Sequence, residues 1–197
     1  MENYIEESLA KSISYTAYRK LVSDLLAEGK STGPNQSEDL LNYSGLNDAR
    51  MNRLDKKTTL LESTINALKN FENKQTWLLI TEGWCGDAAQ ITPVINAMSL
   101  VNDNIELKIV LRDENEELMN QFLTNGGKAI PKLIVLDAAN KVISDWGPRP
   151  SIATKMVNDY KEKHGGLDAE FKKDLQIWYN KDKGKNIQDD IVAFLAS

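Results

Sequence analysis

The chain has 197 residues, 41% of them hydrophobic, and a formal net charge of -5. This length can bury one sizeable core, so we expect one main domain with smaller appended parts. The acidic balance argues against nucleic acid and against anionic membrane surfaces as partners, because both attract basic proteins. Apolar runs fall far short of the roughly 20 residues that a membrane helix needs, and the acidic start of the chain lacks the basic patch of a secretory signal.

The sequence contains a single cysteine, which excludes an internal disulfide and a cysteine-rich zinc site. A lone thiol suits a reducing compartment. Together with the acidic start of the chain, this predicts a cytoplasmic protein that needs neither a metal nor a cofactor.

Three helices are predicted in the first seventy residues, because apolar side chains recur at spacings of three and four. Asn35 or Ser37 can cap the second of them, and Gly45 weakens the prediction in its middle. Apolar stripes need another surface to cover them, so we expect these helices to pack on the main domain. The predicted ranges are 14–28, 38–57 and 59–71.

At Gln75 the pattern changes to strands and helices in the order β-α-β-α-β-β-α. The first two strands and the helix between them form a parallel, right-handed unit, and the last two strands form an antiparallel hairpin. Two more helices form a tail, whose Trp178 and Tyr179 are interpreted as packing residues. The predicted strands are 75–81, 105–112, 131–137 and 141–146, and the predicted helices are 86–101, 114–123, 151–163, 168–181 and 186–196.

Cys85 lies between the first strand and the following helix, where the ligand sites of open α/β sheets form. A sulfur at a helix amino terminus faces unpaired N–H groups and the positive end of the helix dipole, which favour the thiolate over the thiol. Trp84 supplies a flat apolar wall that suits a peptide substrate or simple packing. Cys85 is therefore the candidate nucleophile, and the alternative is a partly buried side chain inherited with the fold.

The sequence Trp84-Cys85-Gly86 at the start of a helix resembles the thioredoxin family, whose motif is Trp-Cys-Gly-Pro-Cys. The family's active-site helix carries a kinking proline eight positions after the first cysteine, and Pro93 stands at that position. The whole chain also resembles bacterial proteins that are assigned simply to the thioredoxin family.

Two later elements extend the resemblance. Ile130-Pro131 resembles the cis-proline that begins the family's third strand and faces the cysteine, and Gly147 fits the glycine after the hairpin. The resemblance implies an α/β thioredoxin-like fold, a central mixed sheet flanked by helices, with helical extensions at both ends. The implied division is 1–73 for the amino-terminal extension, 74–164 for the thioredoxin-like domain and 165–197 for the carboxyl-terminal tail.

Three positions depart from the family pattern. Ala88 stands where the family has its resolving cysteine, so no dithiol cycle is available within one chain. Leu79 stands where the family has a buried acid that assists proton transfer. Asp87 replaces the motif's proline, and its charge suits the helix dipole but opposes ionisation of the nearby sulfur. We interpret Asp87 first as a helix-stabilising charge and only secondarily as an acid or base.

Backbone and basic groups complete the candidate site. A cis Pro131 would leave backbone groups of Ile130 or Ala129 available to an extended partner strand, as the resemblance implies. Arg112 and Arg149 follow strand ends that point towards the cysteine and could hold an anion or the thiolate, although we expect solvated surface arginines. The candidate binding residues are Trp84, Gly86, Asp87, Ile130, Pro131, Gly147 and Arg149.

The favoured hypothesis is a single-thiol redox protein, in which Cys85 attacks a disulfide or a small-thiol adduct and an external thiol regenerates it. The expected partners are therefore protein or small-molecule thiols and disulfides. The alternative is a redox-inactive module that binds a peptide or protein between Trp84 and Pro131. A glutathione-transferase-like enzyme also has helices beside a similar fold, but it places its large helical domain after the core, whereas most helices here precede it. A cluster-binding monothiol glutaredoxin is a further possibility, on Cys-Gly alone.

Overall fold

The computed structural model describes residues 3–195, in which helices pack around one sheet. The helices are α1 (Asn3–Lys11), α2 (Tyr15–Ala27), α3 (Glu38–Lys57), α4 (Glu62–Lys69), α5 (Gly86–Ser99), α6 (Glu116–Gln121), α7 (Ser151–His164), α8 (Ala169–Asp182) and α9 (Lys185–Leu195), and the strands are β1 (Gln75–Thr81), β2 (Ile105–Leu111), β3 (Lys132–Leu136) and β4 (Val142–Trp146).

The four strands form one mixed sheet in the order β2-β1-β3-β4. β1 and β2 are parallel, and β3 runs antiparallel to both β1 and β4. Leu79 in β1 pairs with Ile109 in β2 and Leu133 in β3, so the middle of β1 lies at the centre of the sheet. This is the α/β thioredoxin-like fold, with the parallel unit and the hairpin that the sequence predicts.

Helices cover both faces of the sheet. Alternate side chains of β1 point to opposite faces, so β1 contributes to the packing on each of them. Trp77 and Leu79 pack on one face with side chains from α4, α5, α7, α8 and α9. Leu78 and Ile80 pack on the other face with side chains from α1 and α6. All four side chains are fully buried, which explains why β1 is a continuous apolar run without alternation.

The amino-terminal helices cover one face and one edge of the sheet. Ile5 in α1 is buried against the second face. Tyr18 of α2 and Met51 of α3 pack with Ile109 at the β2 edge. Ile13, between α1 and α2, exchanges backbone hydrogen bonds with Ile109, so a short bridge pairs the outer side of β2. The predicted packing of these helices on the main domain is therefore present.

Several element boundaries differ from the sequence prediction. The predictions did not include α1, because nine residues offer few positions at helical spacing. β2 ends at Leu111, since Arg112 begins a 3-10 turn over residues 112–114 that leads into α6. The predicted helix 59–71 is shorter, as Glu62–Lys69, and the last residue of the predicted helix 186–196 lies outside the described residues. The division into three parts stays a prediction.

No helix between residues 3 and 195 is both long and apolar enough to cross a membrane.

Gly45 provides a test of the sequence-level expectation for α3. It lies within the 20-residue helix, and a methyl group added there meets no other atom within 4 Å. Glycine in a helix interior costs roughly 0.5–1 kcal/mol relative to alanine. Gly45→Ala should therefore raise the free energy of unfolding by about that amount, measured by urea denaturation.

The matched control is Ala49→Gly, at an exposed position of the same helix, which should lower the free energy of unfolding by a similar amount. A destabilised Gly45→Ala protein would contradict the helical assignment of this position.

Candidate functional site

Cys85 occupies the amino terminus of α5, four residues after the end of β1. It is the residue that precedes the first turn of the helix, with φ -81° and ψ 115°, and its carbonyl accepts a hydrogen bond from the Ala89 N–H at 3.1 Å. The Cys85 residue is half-buried. The placement predicted for the sulfur, at the start of a helix after a parallel strand, is therefore present.

The Cys85 sulfur faces the segment that precedes β3. Its Sγ donates a hydrogen bond to the Ile130 carbonyl at 3.4 Å, and the Ile130–Pro131 peptide bond is cis. The Ala129 N–H is already bonded to the Gly127 carbonyl at 2.8 Å. The Ile130 carbonyl, in contrast, is bound by the Cys85 thiol, and the N–H of a partner strand can displace that thiol.

The surroundings of the sulfur favour the neutral thiol. Desolvation is the main reason that the pKa of Cys85 is raised to about 12, and the Asp87 carboxylate adds to it. The backbone N–H groups of Asp87 and Ala88, and the Arg149 guanidinium, act in the opposite direction. The helix amino terminus is therefore present, but it does not outweigh burial and the neighbouring negative charge.

Asp87 is a buried, paired carboxylate rather than a solvated helix-end charge. It is 9% exposed, its Oδ1 accepts a hydrogen bond from the Tyr179 hydroxyl at 2.9 Å, and its Oδ2 lies 2.8 Å from Arg149 Nη2. Burial raises the pKa of Asp87, although Arg149 and Tyr179 oppose this shift. The same burial raises the pKa of Tyr179, so its phenol stays protonated and donates.

Arg149 corrects an expectation from the sequence. It is not a solvated surface arginine, since its side chain is 22% exposed and bound to Asp87. A buried carboxylate needs such a partner, because an unpaired charge in a low-dielectric environment is strongly destabilising. The interpretation of Tyr179 as packing was also incomplete, because its buried hydroxyl contacts Asp87.

Gly147 brings the end of β4 close to the segment before β3. Its φ of +116° is a conformation that side-chain-bearing residues rarely adopt, and a Cβ built there would lie 2.4 Å from the Pro131 carbonyl oxygen. The role of Gly147 is therefore to permit close approach of two backbones. The sequence analysis placed Gly147 after the hairpin but did not predict this contact with Pro131.

Trp84 and Arg112 form a second contact beside the cysteine. The Arg112 guanidinium lies 4.7 Å from the centroid of the Trp84 ring, within the range of a cation–π interaction. Arg112 also donates to Asp113 at 2.8 Å. Arg112 is thus partly buried and fixed over the aromatic ring, rather than solvated as the sequence suggested.

Glu82 is a second buried carboxylate, and the sequence analysis missed it. It is fully buried, and it accepts hydrogen bonds from the Thr32 hydroxyl and from the Asp113 N–H at 3.0 Å. Thr32 in turn accepts from the Gly83 N–H at 2.9 Å, and the Asn47 side chain donates to the Gly83 carbonyl. Residues before α4 therefore hold the turn that precedes Trp84. No local signal indicated this, because Thr32 lies fifty residues away in the chain.

Gly86 leaves room for polar groups from two other helices. A Cβ at Gly86 would lie 3.3 Å from the Gln176 amide nitrogen and 3.8 Å from Arg50 Nη1. Gln176 accepts from the Gln90 amide at 2.9 Å, and Arg50 donates to Asn47 at 2.6 Å. The first turn of α5 is therefore enclosed by α3 and α8.

A cleft of about 600 Å³ opens next to two of the candidate binding residues. Gly147 and Arg149 line it, together with Ser151 and Asp190, whereas Cys85 and Pro131 do not. Asp190 accepts hydrogen bonds from Ser151, including its N–H at 2.6 Å. The candidate binding residues are therefore divided between two places. Gly147 and Arg149 line this cleft, and the others lie at the start of α5 or just before β3.

Within the described part of the chain, no three His, Cys, Asp or Glu side chains are grouped so that they could hold a metal ion.

The charges around Cys85 predict opposite effects for two substitutions. Asp87→Asn removes a charge that raises the pKa of Cys85, and Arg149→Gln removes one that lowers it. Each unit of pKa changes the thiolate fraction of a mostly protonated thiol about tenfold. Iodoacetamide alkylation near neutral pH should therefore be several-fold faster in Asp87→Asn and slower in Arg149→Gln than in the wild type.

Mass spectrometry measures this rate without ambiguity, because the chain has one cysteine. Asp103→Asn removes an exposed carboxylate elsewhere and serves as the control. Equal rates in all four proteins would mean that the Asp87–Arg149 pair does not act on the sulfur.

The burial of the Glu82 carboxyl group predicts that the free energy of unfolding depends on pH. Burial raises the pKa of Glu82 above its ordinary value of 4.5, against the opposing hydrogen bonds from Thr32 and Asp113. The folded state therefore binds the proton more tightly than the unfolded state, and the contribution of Glu82 to stability is lost as pH rises through the folded-state pKa. Glu82→Gln, which cannot ionise, should gain stability relative to the wild type between about pH 4 and pH 7.

Urea denaturation at several pH values measures this difference. Glu72→Gln changes the same chemical group at an exposed position and should follow the wild-type profile. A Glu82→Gln protein whose stability relative to the wild type falls with rising pH would show that the folded-state pKa is lowered instead.

Comparison with known proteins supports the fold and the family. The chain matches two solved structures over 93% of its length and 98% of theirs: a Pseudomonas aeruginosa protein of unknown function, with 18% identity and a TM-score of 0.60, and an HIV epitope scaffold, with 19% identity and a TM-score of 0.58. At this identity the likeness concerns the fold alone. No curated protein matches the chain.

The profile of a family described as thioredoxin matches residues 33–161, which is well over half of the chain. The chain therefore belongs to the thioredoxin family.

Proposed function

We propose that this protein is a single-thiol redox protein, in which Cys85 forms a mixed disulfide with a thiol- or disulfide-bearing partner. The observation that carries the proposal is the position of the sulfur, at the first turn of α5 and 3.4 Å from the Ile130 carbonyl beside Pro131. The Cys85 residue is half-buried rather than sealed in the core, which supports the proposal that a partner docks against it.

The proposed reaction has two exchange steps. The Cys85 thiolate attacks one sulfur of a partner disulfide, the partner's S–S bond breaks, and the second sulfur leaves as a thiolate that takes up a proton. The chain has no second cysteine, so a thiol from another molecule must attack the mixed disulfide. That attack joins the external thiol to the partner and returns Cys85 as a free thiol. After these two steps the external thiol has replaced one sulfur of the partner disulfide, so one S–S bond remains. A second external thiol that attacks this bond releases the partner as a free thiol, and the two external thiols are oxidised to their disulfide.

Because the pKa of Cys85 is raised to about 12, the free protein contains little thiolate. In the proposed reaction, binding of the partner must therefore favour formation of the thiolate. A hydrogen bond donated by the neutral thiol to the Ile130 carbonyl favours the neutral form. A bound partner strand whose N–H takes over that carbonyl removes this preference, while burial and the Asp87 carboxylate still raise the pKa of the thiol. Cys85 would then react faster with bound partners than with disulfides free in solution, which it attacks slowly through its small thiolate fraction.

A redox-inactive binding module is the second candidate. The observations that favour it are the raised pKa of Cys85 and the two missing catalytic groups, since Leu79 and Ala88 stand where the family has an acid and a cysteine. In that case the Ile130–Pro131 segment binds an extended peptide, and the sulfur contributes only an apolar contact.

Incubation with glutathione disulfide distinguishes these candidates. The wild type should form a mixed disulfide that mass spectrometry detects and that added dithiothreitol reverses, and Cys85→Ser should form none. Ala88→Cys restores the family's spacing of two cysteines, so its adduct should resolve to an internal disulfide and the variant should reduce insulin. The double variant Cys85→Ser/Ala88→Cys, with the added thiol alone, is its control.

Failure of the folded wild type to form an adduct at pH 8, together with an inactive Ala88→Cys variant, would exclude the redox function and leave the binding module. Circular dichroism verifies that each variant is folded.

A further inference from the structure

A second cavity lies on the side of the molecule where α3, α8 and α9 meet. Its volume is about 410 Å³, within the roughly 300–1,000 Å³ range of small-molecule sites. Its floor is apolar and its rim is basic, and none of its lining residues is acidic. The four cations at its rim are Arg53, Lys57, Lys183 and Lys185.

Four cations at one cavity are unexpected in this chain, which has more acidic than basic residues and a net charge of -5. Lys57 and Lys183 end helices, where a positive charge complements the helix dipole. This explanation fails for Lys185, which lies in the first turn of α9, where the dipole disfavours a cation. Arg53 lies within α3, away from either end. The helix dipole therefore does not explain the positions of at least two of the four cations.

The charges are not used in ion pairs. Arg53 donates to the neutral Asn180 side chain at 2.7 Å, which fixes its guanidinium at the rim. Among the described residues, the side chains of Lys57, Lys183 and Lys185 have no hydrogen-bond or ion-pair partner. The nearby carboxylate of Asp182 does not line the cavity, and it accepts hydrogen bonds from the Asn186 N–H at the start of α9.

The wall of the cavity is built by buried contacts. Gln188 is fully buried, its side-chain oxygen accepts from the Leu61 N–H at 2.8 Å, and its amide donates to the Thr59 carbonyl at 3.3 Å. These bonds fix the segment between α3 and α4 against α9. The buried residue Tyr179 also lines the cavity.

We propose that this cavity binds a small organic anion, with a carboxylate or phosphate held by the four cations and an apolar body against Leu54, Leu60, Leu61 and Tyr179. The apolar floor argues for a short alkyl chain or a single aromatic ring rather than an inorganic ion. The site is separate from the cysteine chemistry and does not depend on it.

Isothermal titration calorimetry with two probes tests the proposal. Octanoate carries an alkyl chain and phenyl phosphate an aromatic ring, and octan-1-ol is the uncharged control. At least one anion should bind the wild type, more tightly than octan-1-ol, and more weakly as salt is raised. The relative affinity of the two anions identifies the apolar body and the acidic group. In nuclear magnetic resonance spectra, the amides of Leu61, Asn180 and Lys183 should shift on binding.

Charge reversal locates the site. Lys183→Glu/Lys185→Glu should weaken binding about tenfold or more, and Lys57→Glu, on another helix, should act in the same direction. Lys163→Glu/Lys173→Glu changes the net charge by the same amount at exposed positions and should leave the affinity unchanged.

The proposal is overturned if neither anion binds, if octan-1-ol binds equally well, or if the distant double variant loses as much affinity as the cavity variants. Shifts confined to amides away from the cavity would overturn it as well.

Discussion

The buried carboxylate of Asp87 is the constraint on which the arrangement of the candidate site depends. A negative charge that is 9% exposed must have its partners supplied by the protein, because water no longer solvates it. Tyr179 supplies one from α8 and Arg149 supplies the other from the segment before α7. Two parts of the chain that are distant in sequence are therefore fixed to the first turn of α5. The same charge favours the neutral form of the Cys85 thiol, so structural fixation and thiol reactivity oppose each other.

Glu82 places a comparable constraint on the other side of Trp84. Its carboxylate is satisfied by the Thr32 hydroxyl and the Asp113 N–H, and Asn47 holds the adjacent Gly83 carbonyl. The amino-terminal helices are therefore more than a cover for the sheet, because residues between and within them fix the turn that presents the cysteine. This agrees with a family match that begins at residue 33, well before β1.

The features that were predictable from the sequence are those with a local signal. The continuous apolar run of β1, the cysteine at a helix start and the hairpin of β3 and β4 each follow from neighbouring residues, and the structure contains all three. The partners of Asp87 and Glu82 were not predictable, because a single tyrosine, arginine or threonine far along the chain carries no sign of what it contacts. For the same reason Arg149 was expected in solvent, although the burial of Asp87 requires it as a counter-ion.

Tyr179 joins the two regions to which function is assigned. Its hydroxyl binds Asp87 at 2.9 Å, and the same residue lines the cavity with the basic rim. The ring cannot be displaced while this hydrogen bond is kept, because hydroxyl and ring are one rigid group. Displacement would leave Arg149 as the remaining side-chain partner of Asp87 and would change the charge distribution beside the Cys85 sulfur. The position of this side chain therefore offers one route by which an anion in the cavity and the thiol are coupled, and thermodynamic linkage requires such coupling to act equally in both directions.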